Sequence, residues 1–150
     1  MGFKQAVEST RGLEQAYRPG LQAILNRDHS RISCHDARTV TGSVNLDSAF
    51  ATTLSNQPVW DYGVGLKPPS QLEKAVWIEV HPASSHHVAD VLAKLAWLKA
   101  WLQTHAPQLN AFPREFVWVA SGSVALPATS QQRRKVASVG LRFVNRLALA

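Results

Sequence analysis

Residues 73–84 read EKAVWIEVHPAS, and this stretch decides how the rest of the chain is interpreted. Successive side chains of a β-strand point to opposite faces of its sheet, so residues two positions apart share a face. Glu79 and His81 therefore project from one face of an otherwise apolar strand, predicted over 75–81. Burying an ionisable group is costly unless the group is paired or bound to a metal. The pair therefore predicts either a functional site or two structural residues whose polar groups are hydrogen-bonded or ion-paired within the fold.

The segments on both sides of this strand are also strongly patterned. Upstream, 59–66 reads VWDYGVGL, which predicts a strand with one face of large apolar side chains and one face that holds Asp61 and two glycines. Downstream, leucines and valines recur at i, i+3, i+4 and i+7, which predicts a helix over 85–105 with Ser84 or Ser85 as its N-cap. A strand, a second strand and a long helix therefore follow one another.

Weaker patterns complete the chain. In the first half they predict a helix over 3–17 that continues after a break to 25, strands at 31–35 and 40–46 joined by a polar turn, and one or two helical turns over 47–54. In the second half they predict a strand at 116–121, a basic helix at 130–138 and a closing strand at 141–149. The order α-β-β-β-β-α-β-α-β predicts an α/β fold, with a mixed β-sheet flanked by helices. A length of 150 residues predicts one domain, 1–150.

Composition narrows the class of protein. Hydrophobic residues make up 45% of the chain, which excludes a disordered polar sequence. The net charge of +6 is compatible with an acidic partner such as nucleic acid. Cys34 is the one cysteine, so no internal disulfide can form. The sequence shows neither the apolar core of a signal peptide nor a run long enough to span a membrane, so we expect a cytoplasmic protein with no membrane partner.

The two polar strand faces predict a metal site. Asp61 and Glu79 lie on consecutive strands joined by a short connection, so antiparallel pairing would make the two carboxylates neighbours. Carboxylates are the ligands that Mg²⁺ uses together with water and substrate phosphates, and such an ion assists phosphodiester hydrolysis. A basic group such as His81 could orient or deprotonate the attacking water.

Asp61 followed by Glu79-Val80-His81, in this order of elements, resembles the PD-(D/E)XK nuclease superfamily. The resemblance implies a restriction-endonuclease-like fold, in which the acidic residue lies on the second core strand and the (D/E)-x-K motif on the third. It further implies that Asp61, Glu79 and the carbonyl of Val80 hold Mg²⁺ or Mn²⁺, with the motif lysine as catalytic partner.

The resemblance also implies a carboxylate from the first helix, which would be Glu8 or Glu14. Glu14 is favoured because Gly12 allows close packing beside it.

The sequence departs from the family pattern at the motif lysine, where His81 stands instead. Lys94 on the following helix is a conceivable substitute, although its i, i+4 spacing from Asp90 suggests a surface ion pair equally well. His81 could alternatively be a structural histidine that bonds to the start of that helix.

The function that this pattern favours is a Mg²⁺-dependent nuclease acting on DNA or RNA. The alternative is a catalytically inactive protein of the same fold that binds nucleic acid or another protein. In either case a basic cluster near the C-terminus would contact phosphates, namely Arg133, Arg134 and Lys135.

Three further patterns concern histidine pairs, the cysteine and a tryptophan pair. His86 and His87 suggest zinc, but helical neighbours point about 100° apart, so at most one of them could join His81. Cys34 and His35 face opposite ways on a strand, which favours a buried thiol over a catalytic pair. The Trp97/Trp101 pair widens the apolar arc of its helix, which predicts cover from the N-terminal helix or from a second subunit in a homodimer.

Overall fold

The computed structural model describes residues 1–149, and for residues 123–125 it describes the backbone alone. Its helices and strands follow one another as α1 (Phe3–Glu8), β1 (Ile32–Cys34), β2 (Val40–Asn45), α2 (Leu46–Ala49), β3 (Tyr62–Leu66), β4 (Lys74–Ser84), α3 (Ser85–His105), α4 (Pro107–Asn110), β5 (Arg114–Ala125), α5 (Gln131–Ser138), β6 (Leu141–Val144) and β7 (Leu147–Leu149). The strand that carries Glu79, the long helix and the basic helix lie where the sequence predicts them.

The main sheet has five strands in the order β2-β3-β4-β5-β6. β2, β3 and β4 form an antiparallel meander, whereas β4, β5 and β6 run parallel. Parallel neighbours need a crossover connection, and helices α3 and α5 provide the two crossovers. The chain therefore has an α/β architecture with a mixed sheet flanked by helices.

Each face of the main sheet supports its own hydrophobic cluster. α1, α3, α4 and α5 pack over one face, which includes Trp77 of β4, while β1 and β7 pair in parallel and pack over the other, which includes Ile78. Both side chains are fully buried. A central strand covered on both faces reads as a nearly continuous apolar run, and 75–80 is such a run apart from Glu79.

Two glycines of β3 let large side chains reach the helical face of the sheet. A Cβ atom on Gly63 would lie 2.5 Å from Cζ3 of Trp77, and one on Gly65 would lie 2.5 Å from Cγ of Phe3. Either atom would overlap its neighbour, so only glycine fits at these positions. Asp61 lies two residues before Gly63, just ahead of β3, so its side chain is the first one beyond the glycines on this face.

Helix α1 is shorter than the predicted first helix, because it ends at Glu8 and the chain continues in turns through residue 25. Thr10 directs its hydroxyl to the carbonyl of Ala6, and Gly12 adopts a left-handed φ of 94°, which no helix continues. The predicted extension over 9–17 and 21–25 is therefore wrong.

Two predicted strands pair differently from expectation. β1 does not form a hairpin with β2, because a 3₁₀ turn capped by Asp36 separates them and β1 pairs with β7 instead. The predicted closing strand splits into β6, which joins the main sheet, and β7, whose Leu147 and Leu149 pack in the same cluster as Ile32.

The tryptophan pair of α3 is covered from within the chain. The rings of Trp97 and Trp101 stack at 5.5 Å, and Phe50 meets both rings edge-on. The indole N–H of Trp97 donates to Oε1 of Gln57. The segment after α2, rather than the N-terminal helix, therefore covers the pair, and the homodimer stays a prediction. Among the described helices, none combines the length and the hydropathy that crossing a membrane requires.

Candidate active site

The antiparallel pairing of β3 with β4 brings Asp61 and Glu79 together. Tyr62, the first residue of β3, lies opposite Ile78, so Asp61 just before β3 and Glu79 within β4 are the next residues outward. The backbone N–H of Asp61 donates to Oε1 of Glu79 at 3.1 Å, and the N–H of Val80 donates to Oδ2 of Asp61 at 3.0 Å. Two backbone donors thus fix the orientation of both carboxylates.

Lys94 of α3 supplies the positive charge at this site. Its Nζ lies 2.6 Å from Oε2 of Glu79 and 3.9 Å from Oδ1 of Asp61. The Lys94 side chain is 23% exposed, and that of Glu79 is fully buried. Of the two partners that the sequence allowed for Lys94, the structure selects the carboxylates of the sheet rather than Asp90.

The site contains two carboxyl groups and one ammonium group, and their pKa values are shifted first by burial and then by these charges. Burial and, as the second cause, the nearby charge of Asp61 raise the pKa of Glu79 to about 8. Burial also raises the pKa of Asp61 to about 6. Burial alone would lower the pKa of Lys94, but the two carboxylates outweigh it and raise that pKa. The ammonium therefore stays charged, and one carboxyl group holds a proton near neutral pH.

A pocket of about 470 Å³ opens beside Asp61, Val80 and Lys94. Glu79 lies behind these residues and does not line the pocket. Further acidic, basic and polar residues complete the lining, among them Arg27, Asp28, Arg31, Asn45, Asp47, Tyr62 and Ser121. The pocket therefore offers carboxylate oxygens together with guanidinium groups within one concave surface.

Several of these lining residues have fixed positions. The hydroxyl of Tyr62 donates to Oδ2 of Asp28 at 2.6 Å, and burial raises the pKa of Tyr62. Arg31 donates from one guanidinium nitrogen to the carbonyl of Ala120 at 2.9 Å. Asn45 caps α2 by accepting from the N–H of Ser48, so capping does not engage Asp47, whose side chain is left to line the pocket.

Sequence reasoning missed Arg27, Arg31 and Asp47. Asp47 lies at the start of the helical turns predicted over 47–54, and the arginines fall in an irregular segment with no periodic pattern. The sequence offers only a local signal, two arginines that bracket Asp28 within five residues, 27–31, and the structure shows that Asp28 is buried. A buried aspartate inside a polar loop indicates a structured loop.

The predicted helix-one carboxylate does not line the pocket. Glu14 lies in an exposed turn beyond the end of α1, where it accepts a hydrogen bond from the N–H of Gly12 at 2.8 Å. Glu8 is the exposed last residue of α1. Gly12 does allow close packing, but its neighbour is the ring of Phe50.

His81 shares a face with Glu79, as predicted, but it has other partners. Its Nδ1 donates to the carbonyl of Pro82 at 3.1 Å, and its ring meets that of His87 edge-on at 4.9 Å. Burial lowers the pKa of His81, with a smaller contribution in the same direction from the charge of Lys94. His81 therefore points toward the start of α3, whereas Lys94 contacts the carboxylates.

The basic cluster of α5 lies outside the pocket lining. The Arg133 guanidinium stacks 4.2 Å above the ring of Phe143 and donates to the carbonyl of Leu126. Arg134 donates to the carbonyl of Thr129, and Lys135 is exposed. Two of the three predicted phosphate contacts thus make local contacts that order the helix.

No protein-family model matches the chain, and no curated protein and no solved structure matches it significantly. A functional interpretation therefore depends on the geometry of the chain's own residues.

Proposed function

We propose that this protein is a Mg²⁺- or Mn²⁺-dependent nuclease of the PD-(D/E)XK type, acting on DNA or RNA. Asp61 and Glu79 are its metal ligands, the Val80 carbonyl is a third ligand, and Lys94 is its catalytic lysine. The observation that carries the proposal is the position of the Lys94 ammonium, 2.6 Å from Glu79 and 3.9 Å from Asp61. His81 stands at the motif position of the lysine, and Lys94 of α3 instead brings an ammonium group to the two carboxylates.

The order of elements supports the restriction-endonuclease-like fold. β1 belongs to the two-stranded sheet, so the main sheet begins with β2. Apart from the four-residue helices α2 and α4, the elements from α1 to β5 then follow the α-β-β-β-α-β order. Asp61 then immediately precedes the second core strand, β3, and Glu79 belongs to the third, β4. These are the two strands on which the family places its acidic residues.

The residues present fit a hard divalent cation. The donor set consists of carboxylate oxygens and a backbone carbonyl, which Mg²⁺ and Mn²⁺ prefer. Two carboxyl groups beside a single ammonium leave the site short of positive charge, and the charge of Asp61 adds to burial in raising the pKa of Glu79. When bound, the ion would polarise a phosphoryl oxygen and lower the pKa of a water molecule.

The chain's own groups would do the rest of the chemistry. Lys94 donates a hydrogen bond to a non-bridging phosphate oxygen, which stabilises the negative charge of the transition state. Arg27 and Arg31 lie on the pocket lining, where guanidinium groups pair with the phosphates that flank the cleaved bond. Neither His81 nor the α5 cluster is required for these contacts.

The direct test is cleavage of labelled single-stranded DNA, double-stranded DNA and RNA, each with Mg²⁺, Mn²⁺ or EDTA. We expect one substrate class to be cleaved in the presence of metal, with activity lost in EDTA and in Asp61→Asn. The matched control is Asp36→Asn, because Asp36 pairs with Arg38 and does not line the pocket. Wild-type protein that cleaves no substrate, or activity that Asp61→Asn retains, would contradict the proposal.

A second candidate is a nucleic-acid-binding protein of the same fold without hydrolysis. The observation that favours it is the complete burial of Glu79, whose two oxygens already accept from Asp61 N–H and Lys94. Such a protein would bind an oligonucleotide in EDTA, with affinity that falls linearly against the logarithm of salt concentration. Arg27→Ala and Arg31→Ala would each weaken this binding and flatten the salt dependence by about one phosphate contact.

A further inference from the structure

A second group of metal-ligating side chains lies at the junction of β4 and α3. One ligand atom each from His81, His87 and Asp90 lies within 4.8 Å of the other two. The ring centroids of His81 and His87 are 4.9 Å apart, with the rings inclined at 66°. None of the three residues lines the pocket beside Asp61.

Local structure brings these residues together. His87 and Asp90 are three residues apart on α3, so both project from one side of the helix. His81 faces that side because it lies on the helical face of β4, three residues before the strand ends at Ser84. His86, the next residue on the helix, is exposed and does not belong to the group.

The surroundings leave the ligand atoms available. A carbonyl can only accept, so the contact with Pro82 makes Nδ1 of His81 the donor and leaves Nε2 as the atom that can bind a metal. Metal-bound histidines commonly donate their second nitrogen to a backbone carbonyl in this way. Lys94, one turn beyond Asp90, makes its ion pairs with Glu79 and Asp61. Among the described residues, no ion pair with Asp90 competes for its carboxylate.

We propose that His81, His87 and Asp90 bind one divalent transition-metal ion, and that this ion is Zn²⁺. Two imidazoles and one carboxylate are a ligand set that suits zinc, whereas Mg²⁺ prefers oxygen alone. Three protein ligands leave a fourth position for water, and Asp90 is exposed to solvent there. Tetrahedral ligands at about 2.0 Å from zinc lie about 3.3 Å apart, so small side-chain rotations close the site.

The zinc site is separate from the proposed magnesium site. His81 follows Glu79 by two residues, a rise of roughly 7 Å along an extended strand. Paired catalytic metals lie about 4 Å apart, so the two sites do not form one two-metal centre. The positive end of α3 opposes a cation near its first turns, which costs only about two- to five-fold in affinity.

The test is calorimetric titration of metal-free protein with Zn²⁺ and, separately, with Mg²⁺. We expect one Zn²⁺ per chain, with affinity reduced at least tenfold in His87→Ala and in Asp90→Asn. His86→Ala is the matched control, because it removes a neighbouring histidine outside the group and should leave the affinity unchanged. Co²⁺ should give the intense visible absorption of a four-coordinate site in the wild type, and His87→Ala should lose it.

The proposal does not depend on nuclease activity, so Asp61→Asn should bind Zn²⁺ as the wild type does. If the protein cleaves nucleic acid but binds no Zn²⁺, the zinc site alone is wrong. If it binds Zn²⁺ but cleaves no nucleic acid, the nuclease proposal alone is wrong. Zn²⁺ affinity that is equal in wild type, His87→Ala and Asp90→Asn would overturn the site, and so would an equal loss in His86→Ala. Circular dichroism of each variant excludes misfolding as the cause of lost binding.

Discussion

Two lysine–glutamate pairs in this protein have similar geometry and different surroundings. Lys74 lies 2.9 Å from Oε2 of Glu115, and Lys94 lies 2.6 Å from Oε2 of Glu79. The Lys74 and Glu115 side chains are 30% and 39% exposed, whereas the Glu79 side chain is fully buried. The second pair also has another carboxylate, Asp61, within 3.9 Å of its lysine.

The comparison shows what burial does to an ion pair. The first pair keeps contact with water, so forming it changes the free energy of unfolding by at most about 1 kcal/mol. The second pair has lost most of its hydration, and its two carboxylates share a single cation. Such an arrangement stabilises the fold poorly and is common at sites that bind an ion or a charged substrate.

The largest expected difference between the two pairs is in catalysis. Lys94→Met should lower the rate of metal-dependent cleavage about 10²- to 10³-fold, because it removes the cation that faces the phosphate. Lys74→Met removes a cation of similar exposure outside the pocket lining and should leave the rate within about twofold. Equal cleavage rates for the two variants, measured where both are folded, would contradict a catalytic role for Lys94.

The free energy of unfolding should separate the pairs next. Lys94→Met leaves the two buried carboxyl groups without a cation and should cost about 3 kcal/mol at pH 7. Lys74→Met should cost no more than about 1 kcal/mol. Urea unfolding of both variants and the wild type measures the difference, and similar midpoints would show that burial does not distinguish the pairs.

The pH dependence of stability should follow the buried pair. The pKa of Glu79 is raised from 4.5 to about 8, so the folded protein holds a proton that the unfolded chain releases above pH 4.5. The contribution of Glu79 to the free energy of unfolding is therefore greatest below pH 4.5 and falls by on the order of 2 kcal/mol as the pH rises toward 8. Asp61 contributes in the same direction up to about pH 6.

Glu79→Gln should flatten this pH dependence, since glutamine does not titrate, and Glu115→Gln should leave it unchanged. Urea midpoints between pH 5 and 8 for both variants provide the measurement. A wild-type stability that rises with pH over this range would contradict the raised pKa values.

The smallest expected effect concerns salt. The Lys74–Glu115 contribution of about 0.5 kcal/mol should shrink between 50 mM and 0.5 M salt, because mobile ions screen exposed charges. The Lys94–Glu79 contribution should change much less, since the Glu79 carboxylate is buried and salt screens buried charges weakly. A double-mutant cycle for each pair at both salt concentrations measures the two contributions, and equal screening would show that both are solvated.

The parts of the site that the sequence predicted depend on local pattern. Period-two alternation predicted strands that contain Asp61 and Glu79; Glu79 does lie in β4, whereas β3 begins one residue after Asp61. The short connection predicted the antiparallel pairing that makes them neighbours. The helix over 85–105 followed from its apolar spacing. Residues that neighbouring strands or one helix bring together are thus readable from sequence.

The parts that could not be predicted depend on distant contacts and irregular segments. β1 pairs with β7 more than a hundred residues later, and no local pattern specifies that partner. Lys94 had one candidate partner four residues away, Asp90, and others on the sheet, of which Glu79 is the nearest. Only the tertiary packing of α3 selects between them. Arg27 and Asp47 come from segments whose conformation is set by caps and turns.

The most direct test of the metal-dependent site is Mn²⁺ binding followed by electron paramagnetic resonance, in the presence of a non-cleavable phosphorothioate oligonucleotide. We expect the wild type and His87→Ala to bind Mn²⁺ equally and Asp61→Asn to lose at least tenfold in affinity, because Asp61 is the carboxylate that the pocket exposes. Mn²⁺ binding that Asp61→Asn retains, or a wild type that binds none, would contradict the assignment of Asp61 and Glu79 as a metal site.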